Sequence, residues 1–238
     1  DMQKIADLRA PSDPKLTSEP WDYRYYAEKV RKERYDLDEN EVKPYLQLEK
    51  LREGMFWVAG ELLGLRFTPV ADVPVYHPDV RVWKVTNAAS ELVGLWYFDP
   101  YARPGKRSGA WMNAYRSQER FEREIRTIVS NNSIFVQGKP GEPILISWTD
   151  AETLFHEGGH AAHFANMRMG APCFSQEFAP TSAAFAETQS MFCDSLLDDA
   201  DWLARHAADR ADDTLLAQFD QIARAGEDAL VHVEPVRH

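Results

Sequence analysis

The residues best suited to chemistry stand together at 156–160, His-Glu-Gly-Gly-His. His156 and His160 are four apart, so on a helix both imidazoles project from one face and can reach one ion. Glu157 is one position further on, rotated by about 100°, where its carboxylate reaches a water at the metal without binding the metal itself. Zinc in such a site lowers the pKa of its water to about 7, and the carboxylate takes the proton as the water attacks a carbonyl. The pattern therefore assigns His156 and His160 as ligands, Glu157 as general base, and hydrolysis of a carbonyl bond as the chemistry. Glycine inside a helix costs about 1 kcal/mol relative to alanine, so Gly158 and Gly159 imply that other groups approach closely there.

A catalytic zinc needs a third protein ligand and one open position. The sequence does not continue as HExxHxxGxxH, which leaves an acid from a later segment. Glu177 lies in the loop CFSQEFAP, and Glu187 lies in the helical segment AAFAETQSMF. On that helix Phe185, Phe192 and Leu196 share one face, and Ala183, Glu187, Met191 and Asp194 the other. A carboxylate among small and apolar residues is costly to bury without a cation, and a helix holds a ligand more firmly than a loop. Glu187 is the expected third ligand for one Zn2+ per chain, with Glu177 in reserve. His163 is expected to support the ligands or pack in the core. Glu152 is read as a helix cap, with a bond to the free N–H of His156 as the alternative. Asp194 either supports a ligand or is exposed, and His77 fixes a turn before Pro78.

The elements that must position these groups can be traced from start and stop signals. Ser18-Glu19-Pro20 opens a helix through WDYRYYAEKVRKERY. Asp38 and Glu41 form a capping-box pattern, and Leu48, Leu51, Met55, Val58 and Leu62 recur at helical spacing up to Gly64, which is placed to end the helix. VPVYHPDVRVWKVTN and ELVGLWYFDP read as two or three short strands. A polar helical stretch is expected from Gln118 to Ile128, then a loop with a further strand in NNSIFVQGKPGEPILISW. Thr149 and Glu152 form a capping box for a helix that carries the two histidines and that Gly170 can close. A helix over AAFAETQSMFCDSLL follows. The expected fold class is mainly α with a small β element. It divides into a helical part (18–65), a β-rich part (66–115), the helices of the metal site (149–199) and a helical tail (200–238), all in one region.

Composition narrows the partners. Of 238 residues, 44% are hydrophobic and 27% charged, an ordinary globular balance. Lys and Arg number 27 against 38 Asp and Glu, a net charge of −11. Such a surface repels phosphate backbones, so nucleic acid is not expected as a partner. No stretch has the length and apolarity of a membrane span, so no membrane partner is expected either. The start, DMQKIADLRAPSDP, has no signal-peptide pattern and no initiator Met. Cys173 and Cys193 lack metal-ligand spacing and are expected as buried thiols, pointing to a reducing, cytoplasmic compartment.

The segments TLFHEGGHAAH (153–163) and FAETQSMF (185–192) resemble the thimet oligopeptidase family, which includes neurolysin, oligopeptidase F and the bacterial peptidyl-dipeptidases. PYLQLEKLREGMFWVAGELLGLRF, YHPDVRVWKV and GLWYFDPYARPGKRSGAWM are similar to it in order and spacing, so the resemblance runs over 21–197. It implies His156, His160 and Glu187 as zinc ligands and Glu157 as general base. It also implies a zincin-like core in a channel that admits short peptides, and a β element with Gly109 and Ala110 at the substrate. The implied function is zinc-dependent hydrolysis of short oligopeptides, by internal cleavage or by release of dipeptides. The alternative is a non-catalytic zinc-stabilised or peptide-binding module. The family carries a Gly-rich loop with His and Tyr donors well after its third ligand. Here no Tyr follows Glu187 and Gly226 is the one later glycine, with His206 and His232 the remaining candidates. Amino- and carboxy-terminal segments of a longer chain are therefore expected to be missing.

Overall fold

The computed structural model describes residues 42–168 and 183–199, together with 25, 26, 29, 202 and 203. Of the helix expected from Ser18, only Tyr25, Tyr26 and Lys29 are described, all three helical, while the Asp38–Glu41 cap, Cys173, Glu177, Gly170, His206, His232 and most of the tail lie outside the described residues.

Helix α1 (Leu48–Leu63) forms where the helical spacing places it, and buries Leu48, Leu51, Met55 and Val58. Gly64 ends it with φ 66°, a left-handed cap in which its N–H bonds back into the last turn. Leu62, expected in the core, is exposed instead. Five strands follow: β1 (Arg66–Val70), β2 (Arg81–Thr86), β3 (Leu92–Tyr101), β4 (Trp111–Arg116) and β5 (Thr127–Phe135). Helix α2 (Trp148–Asn166) and helix α3 (Ala183–Asp194) complete the described elements, with 3-10 turns at Lys43–Tyr45 and Ser195–Asp198.

The strands form one sheet in the order β1-β2-β3-β5-β4, antiparallel except for the parallel β3–β5 pair. This sheet overturns the expected fold class, mainly α with a small β element. The described part is a mixed five-stranded sheet with helices packed on it. Two segments account for the difference. Gln118 to Ile128 is no helix but a return loop, closed by a Glu119–Ile125 bridge, that runs into β5. The strand itself hides its period, because Ser130, Asn131, Asn132 and Ser133 are polar yet all buried. Three of them are bonded within the sheet: the Trp96 indole N–H donates to the Asn131 side-chain oxygen, and Asn132 donates to the Ser130 hydroxyl and the Trp111 carbonyl. A buried polar group with partners is tolerated where a lone one is costly.

The two faces of the sheet differ. Trp83, Trp96, Phe98, Met112, Val129 and Phe135 join α1 and α2 in the main core, with Phe56 stacked on Phe67 at 4.0 Å and edge-on to Trp96. The opposite face holds a smaller cluster of Val80, Val82 and Tyr97. Beside it Asp99, buried at the end of β3, binds Arg103 at 2.6 Å and Lys106 at 2.9 Å. Both cations lie in the 102–110 loop, so the pairing ties that loop, and with it the approach to β4, to the sheet. Tyr76 donates to Asp99 from above. His77 sits in a turn as expected, its Nδ1 accepting from the Asp79 N–H.

The start of α2 corrects a second expectation. The cap is Ser147, whose hydroxyl accepts from the Asp150 N–H while the Asp150 carboxylate accepts from the Ser147 N–H. The Thr149–Glu152 pair lies inside the helix and does not cap it. The same S-x-x-D pattern stands two residues earlier, and the shorter Asp closes it as well as Glu does. Met167 ends the helix.

Candidate metal site

α2 packs along β5 and β4 with Ala151, Leu154, Phe155, Gly158, Ala161 and Phe164 buried. That leaves His156 and His160 on the face turned toward α3, where both are half-buried. Their rings meet edge to face at 4.9 Å. α3 lies against this face and brings Glu187 between them: its Oε2 is 3.1 Å from His156 Nε2 and 3.2 Å from His160 Nε2. Among the described residues these three form a group whose ligand atoms lie within 4.8 Å of one another.

The donor set fits a zinc ion. Donors held about 2.0–2.1 Å from a tetrahedral zinc stand roughly 3.3 Å apart, close to both separations found here. The far side of His156 fits as well, because Asp194 Oδ2 lies 3.0 Å from its Nδ1. A ring whose Nδ1–H donates to a carboxylate presents the Nε2 lone pair outward, the arrangement that orients metal-binding histidines. Burial lowers the His160 imidazole below its ordinary value, against the pull of the Glu187 carboxylate, which favours the neutral ring that a metal binds. Burial raises the Glu187 carboxyl. The Ser190 hydroxyl and the two imidazoles outweigh that effect and hold it below the usual carboxylate range.

Glu187 is not the buried carboxylate that its apolar helix neighbours imply. Its side chain is 43% exposed, so no buried charge demands a cation. The helix faces also differ from expectation: Phe185 and Phe192 are exposed, while Ala186 and Ser190 are buried against α2. What brings Glu187 to the imidazoles is the packing of small residues. Ser190 escaped sequence reasoning altogether. It is fully buried, with its hydroxyl 2.9 Å from Glu187 Oε2 and 2.8 Å from the Glu187 carbonyl. The one available signal was its position one turn after the acid.

The other residues singled out take lesser places. Glu157 is half-buried on α2, next to His156. His163 stands outside the His-His-Glu group, edge-on to Phe185 at 6.2 Å, and burial lowers its imidazole. Cys193 is a half-buried free thiol pushed up to about 11 by burial. Gly109, at φ 88°, and Ala110 lead directly into β4, the edge strand beside α2. No described helix is long and apolar enough to cross a membrane.

Comparison with known proteins decides the family, since the sequence model of peptidase family M3 matches residues 1–225. This chain belongs to peptidase family M3. The M3 chain is 40% identical over 171 residues to dipeptidyl carboxypeptidase of Escherichia coli (strain K12), covering 69% of this chain and 25% of that protein. It is 43% identical over 148 residues to the Salmonella typhimurium dipeptidyl carboxypeptidase, covering 62% of this chain and 22% of that protein. Oligopeptidase A of Escherichia coli (strain K12) is 35% identical over 169 residues, 68% of this chain and 24% of that protein. The M3 chain thus spans about a quarter of the length of these relatives.

Proposed function

We propose that this chain carries the zinc site of a peptidase acting on short peptides, with His156, His160 and Glu187 as the ligands and Glu157 as the general base. The observation that carries the reading is the meeting of one carboxylate oxygen with two imidazole Nε2 atoms at 3.1 and 3.2 Å, in a chain of family M3. A bound zinc supplies Lewis-acid polarisation of the scissile carbonyl and makes water a nucleophile near neutral pH. Asp194 fixes the ring of His156, and Ser190 fixes the carboxylate of Glu187. Glu157 takes the proton of the attacking water and returns it to the departing amine. The peptide lies along β4, whose outer edge is unpaired among the described residues. An open edge holds an extended backbone by main-chain hydrogen bonds, and Gly109 and Ala110 stand where the strand begins.

The Glu157→Gln variant tests the assignment. It keeps the side-chain shape and removes the base, so zinc content stays at one per chain while cleavage of a quenched fluorescent peptide falls about 10²–10⁴-fold. Unchanged turnover in that variant excludes Glu157 as the base.

A further inference from the structure

Gly159 lies on α2 between the two histidines, where α3 passes over it. A Cβ there would stand 2.8 Å from the Gln189 carbonyl oxygen, 2.8 Å from Ser190 Cα and 3.0 Å from Cys193 Cβ. The first two are backbone atoms and cannot turn aside. Gly158 differs, because its Cβ would meet the side chain of Met55, first at Sδ. That thioether is flexible and borders a cavity of about 210 Å³ between α1, α2 and α3.

We infer that Gly159 is a positioning residue for the metal site: its missing side chain sets the distance between α2 and α3, and so brings Glu187 and Asp194 to the histidines. This rests on the zinc reading above. Non-bonded carbon contacts settle at about 3.5–4.0 Å, so a methyl group at 159 drives α3 back by roughly 0.7 Å or more. Metal–ligand distances tolerate about 0.2 Å. Every α3 group at the site moves together, since Ser190 pins the Glu187 carboxylate and Asp194 holds His156 from the same helix. The shift therefore loosens one ligand and the orientation of another.

The test is Co2+ and Zn2+ affinity of the 238-residue chain, read from the Co2+ absorption bands and by competition with a chelator. Gly159→Ala weakens both metals about 10–100-fold, the range found when groups supporting metal ligands are lost. Gly158→Ala binds close to the unmodified chain. Circular dichroism checks that each variant folds. If Gly159→Ala does not fold, Cys193→Val decides, because it adds bulk at the Cβ nearest Gly159 from the facing helix, and it is expected to weaken both metals too. Folded variants that bind as tightly as the unmodified chain overturn this inference and leave the zinc reading standing. An unmodified chain that binds neither metal overturns the zinc reading, and this inference with it.

Discussion

Removing the Asp194 carboxylate tests whether the site is held from behind as well as from the front. His156 Nδ1 and Asp194 Oδ2 are 3.0 Å apart, and each side chain is 29% exposed. A hydrogen bond to a charged group contributes about 1.5–3 kcal/mol, and partial exposure places this one toward the lower end through solvent screening. About 1.4 kcal/mol is a factor of ten in affinity, so Asp194→Ala is expected to weaken zinc roughly tenfold. That lies within the range of about 10–100-fold for partners of metal-binding histidines. Asp194→Asn keeps an acceptor oxygen for the ring N–H and loses only the charge, so its loss is smaller. Competition against a chromophoric chelator at neutral pH measures both. Equal zinc affinity in Asp194→Ala and the unmodified chain refutes the orienting role. A larger loss in Asn than in Ala refutes the ranking of charge and geometry.

His156→Ala, His160→Ala and Glu187→Ala are each expected to remove the bound zinc measured by elemental analysis after gel filtration, and retention by Glu187→Ala would point to another acid. Asp99 gives a prediction away from the metal. Burial raises its carboxyl, but hydrogen bonds from Arg103 and Lys106 outweigh that and hold it below the usual carboxylate range. A carboxyl depressed on folding contributes its full stability above its unfolded value, about 3.9, and loses that contribution as pH falls from there toward the folded value. Asp99→Ala removes the carboxylate that Arg103 and Lys106 share, although Lys106 keeps the Asp99 and Tyr101 carbonyls, and is expected to destabilise the chain by about 3 kcal/mol, the lower end for a broken buried pair, read from urea unfolding at neutral pH. The gap between variant and parent should narrow in acid, and a gap that stays constant down to pH 3, roughly a unit below the ordinary value, would contradict the depressed carboxyl.

What the sequence determined by itself was local. His156, Glu157 and His160 lie within one turn and a fraction of a single helix, so their common setting follows from helical period alone. Gly64 could be placed as a helix end because only a left-handed cap demands glycine there. The two interior glycines of α2 signalled close neighbours, and the neighbours exist. The sheet was harder to see, because β5 buries four consecutive polar residues, with Asn131 bonded to Trp96 on β3 and Asn132 to Trp111 on β4, and alternation cannot register bonds made across strands. The pairing of Glu187 with the histidines was decided by tertiary structure: α3 crosses α2 over Gly159, with Ala186 and Ser190 in the contact. Asp194 faces His156 for the same reason. A short-range pattern can name a residue able to bind a metal, but which residues stand 3 Å apart depends on how closely two helix backbones approach.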